Sequence, residues 1–439
     1  AAVLVVATAC AGLWWRSSLH KHPGSCSFCH VMQKTVSGWS GGVHRDVTCL
    51  KCHDPSVPLE LGNLLRVIPG GPATPRPLNF APDKCLACHP FNPRWAKIAS
   101  DVDADNQHAD LSAVAHAHMQ KSDCSSCHGR TAHGPAELKA GSIASNIPIV
   151  LDGRLDEPAW QSAEILRVPI MGGNTIGRIT VELKAFRSGD YLYLAAKWPD
   201  PRDDAEKAVW QMGEDGRWKK QGRLRAGEAG NEDRVMFLWD VSVPNFAREG
   251  CLVTCHADVS ASKYLESPGI GDLWHWKAAR SNPAGYCDDT YIDHVRMSDD
   301  GGRHGDSTKL NWGTQPNDNS TGDGPGYMPQ PGAIRPDARF LFAKDAVPIP
   351  PGTVWPAGTK IPGYLLSRPD GSRGDISAKG LWENGFWTVE FRRRLVTGNP
   401  DDVNFGDLNR PYLFGLAVSD NASGAEHSFS GVLRLKFVK

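Results

Sequence analysis

Hydrophobic and polar residues alternate over residues 179–187 (ITVELKAFR) and again over 191–198 (YLYLAAKW), with Ser188-Gly189-Asp190 between them. Side chains two apart on a strand share a face, so this pattern predicts a hairpin. Residues 380–395 repeat it around Asn384-Gly385, a pair suited to a tight turn. Further strand-like runs are 235–243 (VMFLWDVSV), 412–420 (YLFGLAVSD) and 431–439 (GVLRLKFVK). No long helical periodicity interrupts them. Short strands joined by Gly- and Pro-rich turns predict an antiparallel β-sandwich or barrel. Residues 299–333, rich in Gly, Asp, Asn and Pro, predict a long loop.

The other end of the chain has a different texture. Residues 1–15 (AAVLVVATACAGLWW) carry no charge before Arg16. Fifteen apolar residues are fewer than the roughly 20 that span a bilayer as a helix. Trp14, Trp15 and Arg16 supply an interfacial flank, so residues 1–19 read as a truncated membrane anchor. A signal peptide ending near Ala7-Thr8-Ala9 is the competing reading.

Cysteine usage divides the chain. Nine of the 12 Cys lie in the first 127 residues, and none follows Cys287. The expected organisation is therefore an anchor (1–19), a cysteine-rich module (20–140) and a β domain (141–439). The 48 Lys and Arg against 49 Asp and Glu give no basic excess, which argues against a nucleic-acid partner.

Four strings share one spacing: Cys26–Cys29-His30, Cys49–Cys52-His53, Cys85–Cys88-His89 and Cys124–Cys127-His128. C-x-x-C-H is the attachment signature of haem c. Two thiols add across the vinyl groups of one porphyrin, and the adjacent His lies under the iron. Structural zinc also uses Cys pairs, but it draws its other ligands from a second, distant pair. Here each pair carries its own His. A fifth string, Cys251–Cys255-His256, has one extra residue between the thiols. It reads as a fifth haem site with His256 proximal, in competition with a disulfide from Cys251 or Cys255, to each other or to Cys287.

Six-coordinate haems need a second axial ligand. His20, His22, His44, His108, His116, His118 and His133 are available in the cysteine-rich module, and Met32 follows His30 by two. For the fifth haem His275, framed by Trp274 and Trp276, ranks first, with Lys277 placed to meet a propionate. Met328, Met236, His294 and Lys277 itself are the other candidates.

Residues 24–134 resemble the NapC/NirT/NrfH family of membrane-anchored tetrahaem quinol dehydrogenases. The likeness lies in CSFCHVM (26–32), GWSGGVHRDVTCLKCHDP (38–55) and CSSCHGRTAHG (124–134). It implies Met32 as a ligand of the first haem and His44 and His133 as distal ligands, with His116 or His118 serving another. Residues 148–439 resemble the haem-binding domain of the ethylbenzene dehydrogenase γ-subunit family, through LDGRLDEPAW (151–160), RVMFLWDVSVP (234–244), DLWHWKAARSNPAGY (272–286) and FWTVEFRRRLVTG (386–398). That resemblance implies a β-sandwich holding one haem, typically b-type and with Met and Lys ligands; the Cys251–Cys255-His256 string departs from it.

No Walker loop, G-x-G-x-x-G, G-x-S-x-G or H-E-x-x-H string is present. The expected protein is a multihaem electron carrier between quinol, or a membrane complex, and a periplasmic partner. Its expected place is the cytoplasmic membrane with the soluble part in the periplasm, because haem c is attached outside the cytoplasm. The alternative is a terminal reductase of a small molecule such as nitrite at an open iron. The expected fold is multidomain: a membrane helix, a haem-packed, mostly irregular or α-helical module, and an antiparallel sandwich.

Overall fold

A computed structural model describes residues 135–438, apart from the internal stretches 171–178, 222–230, 248–249, 251–264, 266–267, 298–300, 331–338 and 423–426. In chain order the strands are β1 (Ala136–Ile143), β2 (Leu166–Ile170), β3 (Ile179–Ser188), β4 (Tyr191–Pro199), β5 (Trp210–Met212), β6 (Trp218–Lys220), β7 (Glu232–Asp240), β8 (Gly271–Lys277), β9 (Asp288–Met297) and β10 (Gly301–Gly305). They continue with β11 (Gln315–Pro316), β12 (Tyr327–Pro329), β13 (Leu341–Phe342), β14 (Ala346–Pro348), β15 (Lys360–Ile361) and β16 (Tyr364–Leu366). The last five are β17 (Ser377–Glu383), β18 (Phe386–Arg394), β19 (Tyr412–Ala422), β20 (Ser428–Phe429) and β21 (Leu433–Phe437). A short α-helix, α1 (Pro158–Ser162), starts on a proline, whose fixed φ suits a first helical turn.

Thirteen strands form one sheet in the order β10-β9-β8-β7-β19-β21-β1-β3-β4-β18-β17, with β2 added beside β3 and β20 beside β19. The sheet folds back on itself into two layers. Phe237 of β7 meets Phe391 of β18 edge-on at 5.4 Å, and Trp276 of β8 meets Trp387 of β18 at 5.1 Å and Trp198 of β4 at 6.2 Å. These strands are far apart in the sheet order, so the contacts are between layers. Gly380 of β17 makes room for them, since a Cβ there would lie 2.4 Å from the Trp276 ring. At one corner the sheet's two ends touch: Cys287 N–H donates to the Ile376 carbonyl at 3.0 Å.

The segment 151–160 closes another flank. Trp160 of α1 packs against Phe186 at 4.5 Å, and Phe186 stacks on Tyr193 at 4.8 Å. The buried Glu390 of β18 accepts from Asp152 N–H (2.9 Å), Gly153 N–H (2.7 Å) and Trp160 Nε1 (2.8 Å). At φ +87°, Gly153 takes a left-handed turn, and a Cβ there would lie 2.5 Å from that of Leu381.

These observations correct the expected fold class. The described chain is mostly β, and among its residues no helix is long and apolar enough to cross a membrane. A haem-packed helical module is likewise not found there; residues 1–134, on which that module and the anchor were placed, lie outside the described residues. The sheet is mixed rather than antiparallel, because β1 runs parallel to β3. Alternation shows which face a residue occupies but not a strand's direction. The chain after β1 passes through α1 and β2 before β3, and that crossover returns it in the same sense. β2 and β1 then share one side of β3, pairing with its first and second halves. The expected loop 299–333 carries β10, β11 and β12, all short.

Candidate functional site

Four neighbouring strands, β7 to β10, place the charged residues that matter. Register puts Met236 opposite His275, His275 opposite Asp288, and Arg234 opposite Lys277. The period of two then gathers Arg234, Met236, His275, Lys277 and Asp288 on one face. Trp274 and Trp276 point to the opposite face, into the aromatic core with Trp239, Phe405 and Trp387. They do not frame His275 as its sequence neighbourhood suggests, because neighbours in a strand point apart.

Charge on this face is lopsided. Arg373 Nε donates to Asp288 Oδ1 at 2.7 Å, Lys277 Nζ donates to Asp288 Oδ2, and Arg303 Nη2 lies 3.9 Å from that oxygen. Glu232 takes Arg280 Nη2 at 2.6 Å, with Arg234 Nε at 3.5 Å and the Ala279 N–H at 3.1 Å. Among the described residues, five basic side chains therefore meet these two carboxylates. Burial and the crowd of neighbouring cations set the protonation. Burial raises Glu232, but Arg280 and Arg234 hold it at about 2. Burial, then Arg280 and Arg303, push Lys277 down to about 7 despite Asp288. Burial, followed by Lys277 and three arginines, holds His275 well below the ordinary imidazole range, so the ring is neutral.

His275 is the sequence-predicted ligand whose fit to an iron is tested by its surroundings. It is buried, and its Nε2 has no hydrogen-bond partner. Its Nδ1 faces Arg303 Nη2 at 3.1 Å. A guanidinium only donates, so Nδ1 is the acceptor and the neutral ring carries its proton on Nε2. A ligating imidazole needs the reverse: its second nitrogen donates to a carboxylate, carbonyl or water. As arranged, His275 does not fit an axial haem ligand. Lys277 is engaged by Asp288, Met236 is buried beside His275, and His294 is exposed. Met328 sits half-buried on the β12–β14 ribbon.

The remaining site calls from the sequence lie outside the described residues: Cys26, Cys29, His30, Met32, His44, Cys49, Cys52, His53, Cys85, Cys88, His89, His116, His118, Cys124, Cys127, His128, His133, Cys251, Cys255 and His256. Cys287 is a free, buried thiol. Sequence reasoning missed Glu232, Arg280, Asp288, Arg303 and Arg373. Their signal was faint: charged residues inside otherwise apolar strand runs, as in EDRV (232–235) and DDTY (288–291).

The ethylbenzene dehydrogenase family profile matches residues 157–429, most of the chain. The chain belongs to that family, which places it among redox proteins of the electron-transfer type. No curated protein matches it. Among solved structures it is similar to a carbohydrate-binding protein from Bacteroides uniformis, at 9% identity and TM-score 0.29, over 69% of this chain and all of that one. It is also similar to a family 9 carbohydrate-binding module from Caldicellulosiruptor kristjanssonii with cellotriose, at 12% identity and TM-score 0.27, over 69% of this chain and 95% of that one. Likenesses so distant say nothing about function.

Proposed function

We propose that this protein is a multihaem c-type cytochrome that passes electrons between the membrane quinone pool, or a membrane redox complex, and a periplasmic partner. The observation that carries the reading is the fourfold C-x-x-C-H spacing within residues 26–128, in a chain whose β domain belongs to a redox family. The donor set suits haem c and little else: each string offers two thiols for thioether bonds and one imidazole for the iron. The likeness of residues 24–134 to the NapC/NirT/NrfH cytochromes supports quinol as the donor.

Cys26 and Cys29, Cys49 and Cys52, Cys85 and Cys88, and Cys124 and Cys127 would anchor four haems. His30, His53, His89 and His128 would hold the irons from one side, and Met32, His44, His116, His118 and His133 are the proposed set for the other. Cys251, Cys255 and His256 would hold a fifth; His275 is left out of that set by its Arg303 contact. Bound at these places, haem supplies a one-electron iron couple. The protein's own part is to fix the spacing, the ligand type and the exclusion of water.

The test uses the mature full-length holoprotein in lipid vesicles. A lipid-soluble quinol should reduce it, and a soluble one-electron acceptor should reoxidise it repeatedly. Sustained consumption of nitrite with no reduction by quinol would overturn the reading in favour of a terminal reductase.

A further inference from the structure

Asp200 follows the end of β4, Asp233 lies on β7 and Asp420 on β19, and all three are buried. One carboxylate oxygen of each lies within 4.8 Å of the others. Two oxygens that share an ion at ~2.4 Å are at most ~4.8 Å apart, so this is the spacing of a common coordination sphere. We propose that Asp200, Asp233, Asp420 and the Asn421 side chain form a site for a hard divalent cation of the calcium type.

The Asn421 amide sets the group apart from an acidic cluster alone. β19 pairs with β7 through Ser419 opposite Arg234 and Ala422 opposite Glu232. Asp420 and Asn421 therefore share the place opposite Asp233, which makes a β-bulge. The backbone is left-handed at Asn421 (φ +41°), a conformation that asparagine tolerates. The bulge brings both residues over Asp233, and the Asn421 N–H donates to Asp233 Oδ1 at 2.9 Å. Asn421 is 4% exposed, and its side-chain oxygen is buried without a donor, as are Asp200 Oδ2 and Asp420 Oδ1. Unpaired buried acceptors are costly, and a shared cation satisfies all three at once. A donor set of oxygens alone suits calcium, whereas zinc takes nitrogen and sulfur.

The carboxylates are also held in place. Asp233 Oδ2 accepts from the Asp204 N–H at 2.9 Å and Trp387 Nε1 at 2.8 Å, and Asp200 Oδ1 accepts from the Arg202 N–H at 3.1 Å. The sheet buries another trio, Asp272, Asp289 and Asp402, around the Arg393 guanidinium. Beside Asp200, by contrast, the exposed Arg202 side chain turns to Asp204, at 3.3 Å. A divalent ion would fill the place that Arg393 fills in the other trio. It would clip β4 in one layer to β7 and β19 in the other.

The test is calorimetric titration of calcium chloride into the full-length holoprotein at pH 8, after stripping with a chelator and removal of the chelator. A saturable site is expected. Asp420→Asn keeps the shape of the side chain and should weaken that site about tenfold, or ~1.4 kcal/mol. Asp200→Asn should do the same. Asp401→Asn, in a separate acidic group with Asp306 and Asp402, should leave it unchanged. Thermal melts give a second readout. In chelator at pH 8, Asp200→Asn should melt above wild type, because one of three uncompensated carboxylates is gone; in saturating calcium it should melt below. No saturable binding, an unchanged affinity in Asp420→Asn, or equal weakening by Asp401→Asn and Asp420→Asn would overturn the proposal. So would equally tight binding of magnesium chloride, since magnesium gives up its water reluctantly.

Discussion

Arg303 Nη2 donates to His275 Nδ1 across 3.1 Å. This contact fixes the tautomer of a buried ring and turns its remaining nitrogen into a donor. It assigns His275 a structural place in a cationic network rather than a place on iron. His275→Ala should therefore leave the low-spin haem absorption intact and admit no carbon monoxide. Conversion of one haem to a high-spin, carbon monoxide-binding form would contradict that assignment.

Glu390 ties the 151–160 segment to the core through three N–H donors. Removing it leaves those donors unpaired, two of them buried. Glu390→Ala should cost about 3 kcal/mol in urea unfolding, and Glu390→Gln less, because the amide keeps one acceptor. Equal stability of wild type and Glu390→Ala would show that the segment is held by Trp160 packing alone.

Arg393 is fully buried, with Asp402 at 2.8 Å, Asp272 at 3.5 Å and Asp289 at 3.7 Å. Taking away that one cation strands three buried carboxylates. Arg393→Met should destabilise the domain by roughly 3–5 kcal/mol at pH 7, with part of the loss recovered at pH 5 as Asp272, which burial raises to about 6, takes up a proton. A loss that does not shrink on acidification would mean that the arginine acts through packing.

At the other end of the inter-layer core Asp200, Asp233 and Asp420 bring carboxylate oxygens within 4.8 Å of one another. Burial, with smaller contributions from Asp420 and Asp204, raises Asp200 to about 7; burial and Asp200 raise Asp233 to about 9. An acid whose folded pKa is raised binds its proton more tightly when folded. Its contribution to stability is therefore whole below the unfolded value near 4 and is lost as pH rises to the folded value. Asp200→Asn should raise stability at pH 8 by roughly 2 kcal/mol and change it little at pH 4. Thermal melts across that range decide it; a gain at pH 4 equal to that at pH 8 would contradict the charge account.

Much of the sheet was legible in the sequence, and much of the site was not. The β17–β18 hairpin follows from Asn384-Gly385, whose φ values of +53° and +78° are those the pair tolerates. The β3–β4 hairpin follows from clean alternation. β8 was hidden because its seven residues are all buried, which erases the polar face that marks a strand. The parallel β1–β3 pair depends on a crossover, and no local pattern encodes it. The cationic site joins Arg303, Arg373 and Glu232 across some 140 residues, and only strand register brings them together. His275 drew attention through its Trp neighbours, yet those rings lie on the other side of the sheet.

The central claim is covalent attachment of several haems to one chain. Intact-mass spectrometry of the full-length protein matured outside the cytoplasm, paired with a pyridine haemochrome assay, measures it directly. Five covalent haems are expected, falling to four when Cys251→Ser and Cys255→Ser are combined. A mature protein carrying fewer than four would contradict the account.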